Sequence, residues 1–239
     1  MVSLASTAAC SSPSDKATTS PSTAAIPADP AAALAAARAK LGTENVRFTL
    51  DAGSGIDFSG QVNANTKNWE ITGTGFVVRR IGTDLYAQAS DATVEMLPVS
   101  ADTAGKLSAG DWIHSSRLPV GHELTVVFND AFPWNLAEPA SRLTGITRTG
   151  SREFAGTAVI RPSPRGSLPA PKTTAHVTVD LDEQGRFAKI TTDTTANTTT
   201  STTVFTFTGY GAPADITAPT TGNVVDVDNP GDISLIAPY

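Results

Sequence analysis

A single cysteine, Cys10, in 239 residues excludes any internal disulfide. Histidine is almost as scarce. His114, His122 and His176 stand far apart, and with no His pair at i, i+4, no HExxH and no CxxC there is no set of zinc ligands. Positive charge is thin: 17 Lys and Arg face 23 Asp and Glu, for a net charge of −6, and the only adjacent basic pair is Arg79-Arg80. Phosphate binding needs clustered cations, so nucleic acid is excluded as a partner. Catalytic signatures are missing as well. There is no GxSxG elbow, and Gly73-Thr74-Gly75 lacks the third glycine and following helix of a dinucleotide loop, so it reads as a bend. Asp226, Asp228 and Asp232 do not fall at EF-hand spacing. With no nucleophile–base pair and no metal constellation, the expectation is a protein that is not an enzyme and carries no cofactor. No run approaches the roughly 18 consecutive apolar residues of a membrane-spanning helix.

What is present is alternation. Hydrophobic residues make up 40% and charged ones 17%, enough for a core under a lightly charged surface. Val46, Phe48 and Leu50 alternate with Arg47, Thr49 and Asp51, the period-2 pattern of a strand with one wet face. Phe58 and Val62 belong to a nine-residue alternation over 56–64, and Trp69 and Ile71 open a third strand. That strand is expected to bend at Gly73 and Gly75 and to resume over 76–80. A further strand covers 84–89, a short one holds Trp112 and Ile113, and a hairpin spans 144–161 about Gly150-Ser151. A closing meander occupies 173–182, 186–194 and 200–209. In it Val177, Val179 and Leu181 share one face, as do Thr203, Phe205 and Phe207. The turn Asp182-Glu183-Gln184-Gly185 ends in the glycine a tight hairpin uses.

Helix is confined to a few places. Asp29-Pro30 followed by an Ala/Leu run to Leu41 and Gly42 predicts one capped helix. Residues 91–109 hold a short helix or loop, and another short helix is expected from Phe132 to Leu143. The irregular stretch 91–141 carries Trp112, Phe128, Phe132 and Trp134. Such aromatics serve either as a lid over an apolar site or as a plug for the open end of the sheet.

The N-terminal stretch has its own character. Residues 4–10 read Leu-Ala-Ser-Thr-Ala-Ala-Cys, and 11–29 are rich in Ser, Thr, Ala and Pro with little to bury, the composition of a flexible tether. Small residues running into a cysteine and then a tether resemble the end of a bacterial lipoprotein signal peptide. Thr7 stands where that pattern usually has Leu, and no apolar run of about 7–15 residues precedes it. The resemblance implies that Cys10 is acylated and anchors the chain to the membrane.

About ten strands with one N-terminal helix predict a mainly β protein with α cover. The architecture expected is a single curved antiparallel sheet, a half-open β-barrel with short lid helices; a two-sheet sandwich and a closed barrel are the alternatives. The domain organisation expected is a signal-peptide remnant over 1–10, a disordered tether over 11–29, one domain over 30–219, and a loosely packed extension over 220–239.

Four stretches carry a wider resemblance: Ile81-Gly82-Thr83-Asp84-Leu85-Tyr86; Gly110-Asp111-Trp112-Ile113; the 177–190 hairpin with Asp182 and Gly185-Arg186; and 209–219, ending in Ile216-Thr217-Ala218-Pro219. Together they resemble the actinobacterial LppX/LprG group of lipoproteins, which share a fold with the LolA and LolB lipoprotein carriers. The resemblance implies a half-open barrel around an apolar cavity that binds or transfers the acyl chains of a lipid or glycolipid. It also implies a place on the outer face of the cell membrane, in the cell envelope. The residues expected to line the cavity face, from their alternation, are Phe48, Leu50, Phe58, Val62, Trp69, Ile71, Val179, Phe205 and Phe207. The reading from another class is an exported surface or regulatory module of the same fold, with a filled interior and loops that bind a protein partner. A hydrolase with an unrecognised site is the third.

Overall fold

A computed structural model describes residues 25–53, 57–116, 137–160, 173–196, 199–220, 222–228 and 231–236. Cys10, most of the tether, His122, the aromatics Phe128, Phe132 and Trp134, and the proline-rich 161–171 stretch lie outside the described residues.

The first helix, α1 (Pro30–Lys40), follows from its ends. Asp29 accepts a hydrogen bond from the Ala32 amide at 2.7 Å, Pro30 takes the first turn, and Arg38 and Lys40 sit in the last turn. Gly42 follows at φ 81°. The N-cap acceptor and the C-terminal cations satisfy opposite ends of the helix dipole.

Twelve strands follow in one sheet. They are β1 (Val46–Asp51), β2 (Asp57–Val62), β3 (Trp69–Gly73), β4 (Phe76–Ile81), β5 (Asp84–Ala89), β6 (Trp112–Ser115), β7 (Thr144–Arg148), β8 (Glu153–Ile160), β9 (Thr173–Leu181), β10 (Phe187–Ala196), β11 (Thr199–Thr208) and β12 (Val224–Asp226). Short helices α2 (Asp91–Val94) and α3 (Ala101–Ser108) lie between β5 and β6. Helix α4 (Glu138–Ser141) precedes β7, and α5 (Gly231–Ile236) ends the described chain. The strand order is β12-β6-β5-β4-β3-β2-β1-β11-β10-β9-β8-β7. The β1–β11 pairing joins the two meanders, and the sheet curves without closing, with β12 and β7 at its edges. All pairs are antiparallel except β12 on β6. The mainly β, open curved sheet with helical cover is therefore the architecture that the alternation predicts.

One bend becomes a turn. Gly73 pairs with Phe76 across a two-residue connection, Thr74-Gly75, and Gly75 adopts φ 80°, as a tight hairpin requires. The expected single bent strand is two strands, β3 and β4. A Cβ on Gly73 would lie 2.0 Å from the Phe76 ring, so the ring fills the space above the turn.

The end of the sheet near Val46, Val62 and Trp69 is closed by residues 209–220, which run from β11 toward the far edge. Three asparagines hold this strap by alternate carbonyls. Asn45 donates to Ala212 O and Asn63 to Ala214 O, each at 2.9 Å, and Asn68 donates to Ile216 O at 3.3 Å. Arg79 donates to Thr217 O at 3.4 Å and also lies over the Trp112 ring, 4.9 Å from its centroid. Ala214 and Ile216 are buried.

After residue 220, where composition suggests loose packing, two described pieces are built into the fold. Val224–Asp226 pairs with β6, and Ile233 and Ile236 of α5 are buried in the main core. Turn residues and acids dominate this stretch, but Asp226 and Asp232 have specific partners: His114 for the first, Ser100 and Thr103 for the second.

Candidate binding face

Cross-strand pairing decides which side chains share a face, because directly opposed residues point the same way. The inward residues form transverse rows. Nearest the closed end, Val46 opposes Val62, Val62 opposes Trp69, and Trp69 opposes Arg80. In the second row Phe207 opposes Phe48, which faces Gly60, which faces Ile71 and then Val78. In the third, Val179, Ile190, Phe205, Leu50 and Phe58 follow one another across five strands. All nine residues singled out by alternation therefore stand on one face. Their outward neighbours, such as Arg47, Thr49 and Asp51, are exposed.

Coverage falls toward the β10–β11 tip, where Thr203 and Thr194 are half-buried and Ser201 is exposed. Trp69 is fully buried and Phe48 and Ile71 are 1% exposed, whereas Leu50 reaches 9% and Phe205 is half-buried. The rings of Phe48 and Phe58 meet edge to face, centroids 6.4 Å apart, and those of Phe187 and Phe207 lie 6.3 Å apart. Helices α1 and α4 pack against β7–β9, while α3 and α5 pack against β5 and β6. Each fully buried Phe or Ile contributes roughly 1.5–3 kcal/mol of transfer free energy, so the second row is a stability element. In the third row Val179 and Ile190 are fully buried and Phe58 and Leu50 nearly so, and Phe205 alone keeps apolar surface in part exposed.

Charge on this face is nearly absent. Arg80 is the buried cation, its Nε donating to Gly82 O at 2.8 Å. The polar members toward the tips of β10 and β11 are the opposed pairs Thr192 and Thr203, and Thr194 and Ser201. The chemistry of this face is that of hydrocarbon, with few polar groups among the described residues. A separate open depression of about 400 Å³ lies at the β3–β4 tip, lined by residues that include Thr72, Phe76, Val77 and Gln88.

The titratable groups cluster on the outer side. His114 Nδ1 meets Asp226 Oδ1 at 2.5 Å, its Nε2 lies 3.6 Å from Asp84 Oδ1, and its ring stacks on Tyr86 with centroids 4.8 Å apart. Burial, then the carboxylates of Asp84 and Asp226, push the Tyr86 phenol above its usual range. Through the Asp226 contact His114 holds β12 to β6. Among the described residues no group of three or more His, Cys, Asp or Glu is placed to hold a metal ion, and no helix is long and apolar enough to cross a membrane. His176 is exposed on β9. At the closed end Asp182 accepts from the Gln184 and Arg186 amides, each at 2.9 Å, and Arg186 also bridges to Glu44 at 3.0 Å.

Sequence reasoning missed three features. The asparagine clamps read locally as turn residues, because their partners lie about 150 positions away. Arg80 occupies an inward position that the misread bend assigns to the other face. The carboxylate of Asp232 sits in a tail whose composition looks unstructured.

No protein-family model matches the sequence, and no curated protein matches it. Among solved structures, the chain is similar to the Mycobacterium tuberculosis lipoprotein LppX at 16% identity. That match covers 78% of this chain and 98% of LppX, with a TM-score of 0.40. It is also similar to an uncharacterized conserved protein from Thermus thermophilus at 10% identity, covering 82% of this chain and 97% of that one, with a TM-score of 0.42. Both likenesses are distant, and function is read from this chain's own residues.

Proposed function

We propose that this protein is a lipid-binding lipoprotein of the LppX/LprG type. It takes up or transfers the acyl chains of a lipid or glycolipid on the inward face of its open sheet. In this reading the acylated Cys10 and the tether hold it at the outer face of the cell membrane. One observation carries the proposal: an uncharged apolar row, Val179 to Phe58, runs across five strands, and within it Phe205 is only half-buried. A hydrocarbon tail needs apolar contact and no fixed polar geometry. Its affinity grows by about 0.8 kcal/mol per buried CH₂.

A second reading is favoured by a different observation. Trp69, Phe48, Ile71, Ile233 and Ile236 are almost completely buried in one cluster, which is the interior an interaction module with no ligand cavity would have. Native mass spectrometry of the protein extracted gently from its own membrane separates the two. A co-purified acylated species of defined mass, released by organic solvent, supports lipid binding. A bare polypeptide mass, with no uptake on incubation with palmitate, favours the interaction module.

A further inference from the structure

The C-terminal helix α5 occupies the same inward face as the apolar rows. It lies against β5 and β6, whose inward side chains include Leu85, Ala87, Ala89 and Ile113. Two of these are alanines, and opposite them on β4 stand Val78 and Phe76. Ala87 and Ala89 are small side chains on β5, and Ile233 and Ile236, at 0% and 1% exposure, share the core cluster with them. Spaced i, i+3, the two isoleucines form one branched apolar ridge.

The attachment of this ridge is specific but short. Helix α5 has six residues, too few for a helix to hold its shape unaided. Asp232, 2% exposed, accepts from Ser100 Oγ at 2.7 Å, Thr103 Oγ1 at 2.6 Å and the Ser100 amide at 3.2 Å. Its carboxylate thereby docks at the N-terminus of α3, where the dipole favours negative charge. The segment before it is held by the three-residue β12 at a sheet edge, where Lys106 donates to Asp226 O at 3.1 Å and His114 meets the Asp226 carboxylate. The body of the sheet is held by strands of up to ten residues paired on both sides.

From this contrast we infer that α5 is an internal plug. Ile233 and Ile236 occupy the β5–β6 part of the lipid-binding face in the empty protein, and an incoming hydrocarbon displaces them. The inference rests on the lipid-binding reading, since a plug needs a ligand to exclude. It makes binding a competition: the apparent affinity is the intrinsic one reduced by the fraction of molecules with α5 undocked. The link that precedes α5, a three-residue strand at the sheet edge, has few backbone partners, and segments of that kind open without global unfolding.

The test uses the full chain and cis-parinaric acid, a fluorescent fatty acid, with amide hydrogen exchange as a second readout. In the wild type, saturation with the probe is expected to speed exchange over 231–236 by about tenfold while slowing it in β1 and β2. The double variant Ile233→Ala/Ile236→Ala is expected to bind the probe about tenfold more tightly. Uptake by the variant with none by the wild type also supports the plug. If the wild type binds the probe while exchange over 231–236 is unchanged or slowed, the plug is wrong and lipid binding stands. Absence of uptake by either protein overturns both. Should the variant fail to fold, exchange in the wild type decides alone.

Discussion

The ring of Phe48 lies over Gly60, its partner on the neighbouring strand, so closely that a Cβ at Gly60 would stand 2.3 Å from Cζ of the ring and 2.5 Å from the Glu70 carbonyl oxygen. The ring could rotate away, but the carbonyl belongs to the β2–β3 ladder and cannot. Gly60→Ala is therefore expected to destabilise the protein by about 2–3 kcal/mol, read from the urea midpoint with an unchanged slope. A loss below about 0.5 kcal/mol would mean that the strands part freely there.

The opposite sign is expected at Gly105. It sits inside α3, and a methyl group there would meet nothing within 4 Å, so glycine costs backbone entropy without serving a turn. Gly105→Ala is expected to stabilise the protein by about 0.5–1 kcal/mol, seen as a higher thermal midpoint.

Asn63 joins two distant parts of the chain. Its amide donates to Ala214 O at 2.9 Å, while its Oδ1 accepts from the Asn65 and Thr66 amides at 3.0 and 3.1 Å. Asn63→Ala removes a strap clamp and a turn acceptor together, with an expected cost of about 1–3 kcal/mol. Hydrogen exchange over 212–217 is expected to rise more than in β9 or β10. Uniform acceleration across the sheet would show that the strap is not a separate unit.

How much of this was legible beforehand depends on the range of each signal. Alternation is local, so Phe48, Leu50, Val179 and Phe207 could be assigned to one face from spacing alone, and the structure places them there. The β3–β4 hairpin was missed although its signal was present. Inward residues run odd through Trp69, Ile71 and Gly73, then even from Phe76, and that change of parity is what a two-residue turn produces; a bent strand would keep its parity. The asparagine clamps and the Asp232 contacts are long-range hydrogen bonds, to which local composition is blind. In the tail, Ile233 and Ile236 did carry a helical spacing, but it was obscured by the acids and turn residues around them.

Tyr210 gives a pH signature. Its hydroxyl donates to Phe187 O at 2.7 Å, and burial, followed by the charge of Asp182, pushes its ionisation well above the usual phenol range. Because the raised group stays protonated in the folded state, its contribution is complete below about pH 10 and declines as pH rises beyond the unfolded value. The slope from this one group is at most about 1.4 kcal/mol per pH unit. Urea titrations at pH 8 and pH 11 should therefore show a larger loss in the wild type than in Tyr210→Phe. Equal losses would remove Tyr210 as the cause.

Rim and core should separate under truncation. Phe48→Ala, in the covered second row, is expected to cost about 3–5 kcal/mol. Phe205→Ala, at the half-buried rim, should cost less than about 2 kcal/mol and yet weaken palmitate binding, measured by displacement of a fluorescent fatty acid. Loss of stability without loss of affinity at Phe205 would place that ring in the core alone.

Under the proposed function, hydrocarbon lies on the inward face of the sheet. Photo-crosslinking with a diazirine-bearing fatty acid, followed by peptide mapping, tests it directly. Adducts are expected at Leu50, Phe58 and Phe205 and their inward neighbours, with none at the outward Arg47, Thr49 or Asp51. Labelling confined to the outward residues, or none at all under saturating ligand, would contradict it.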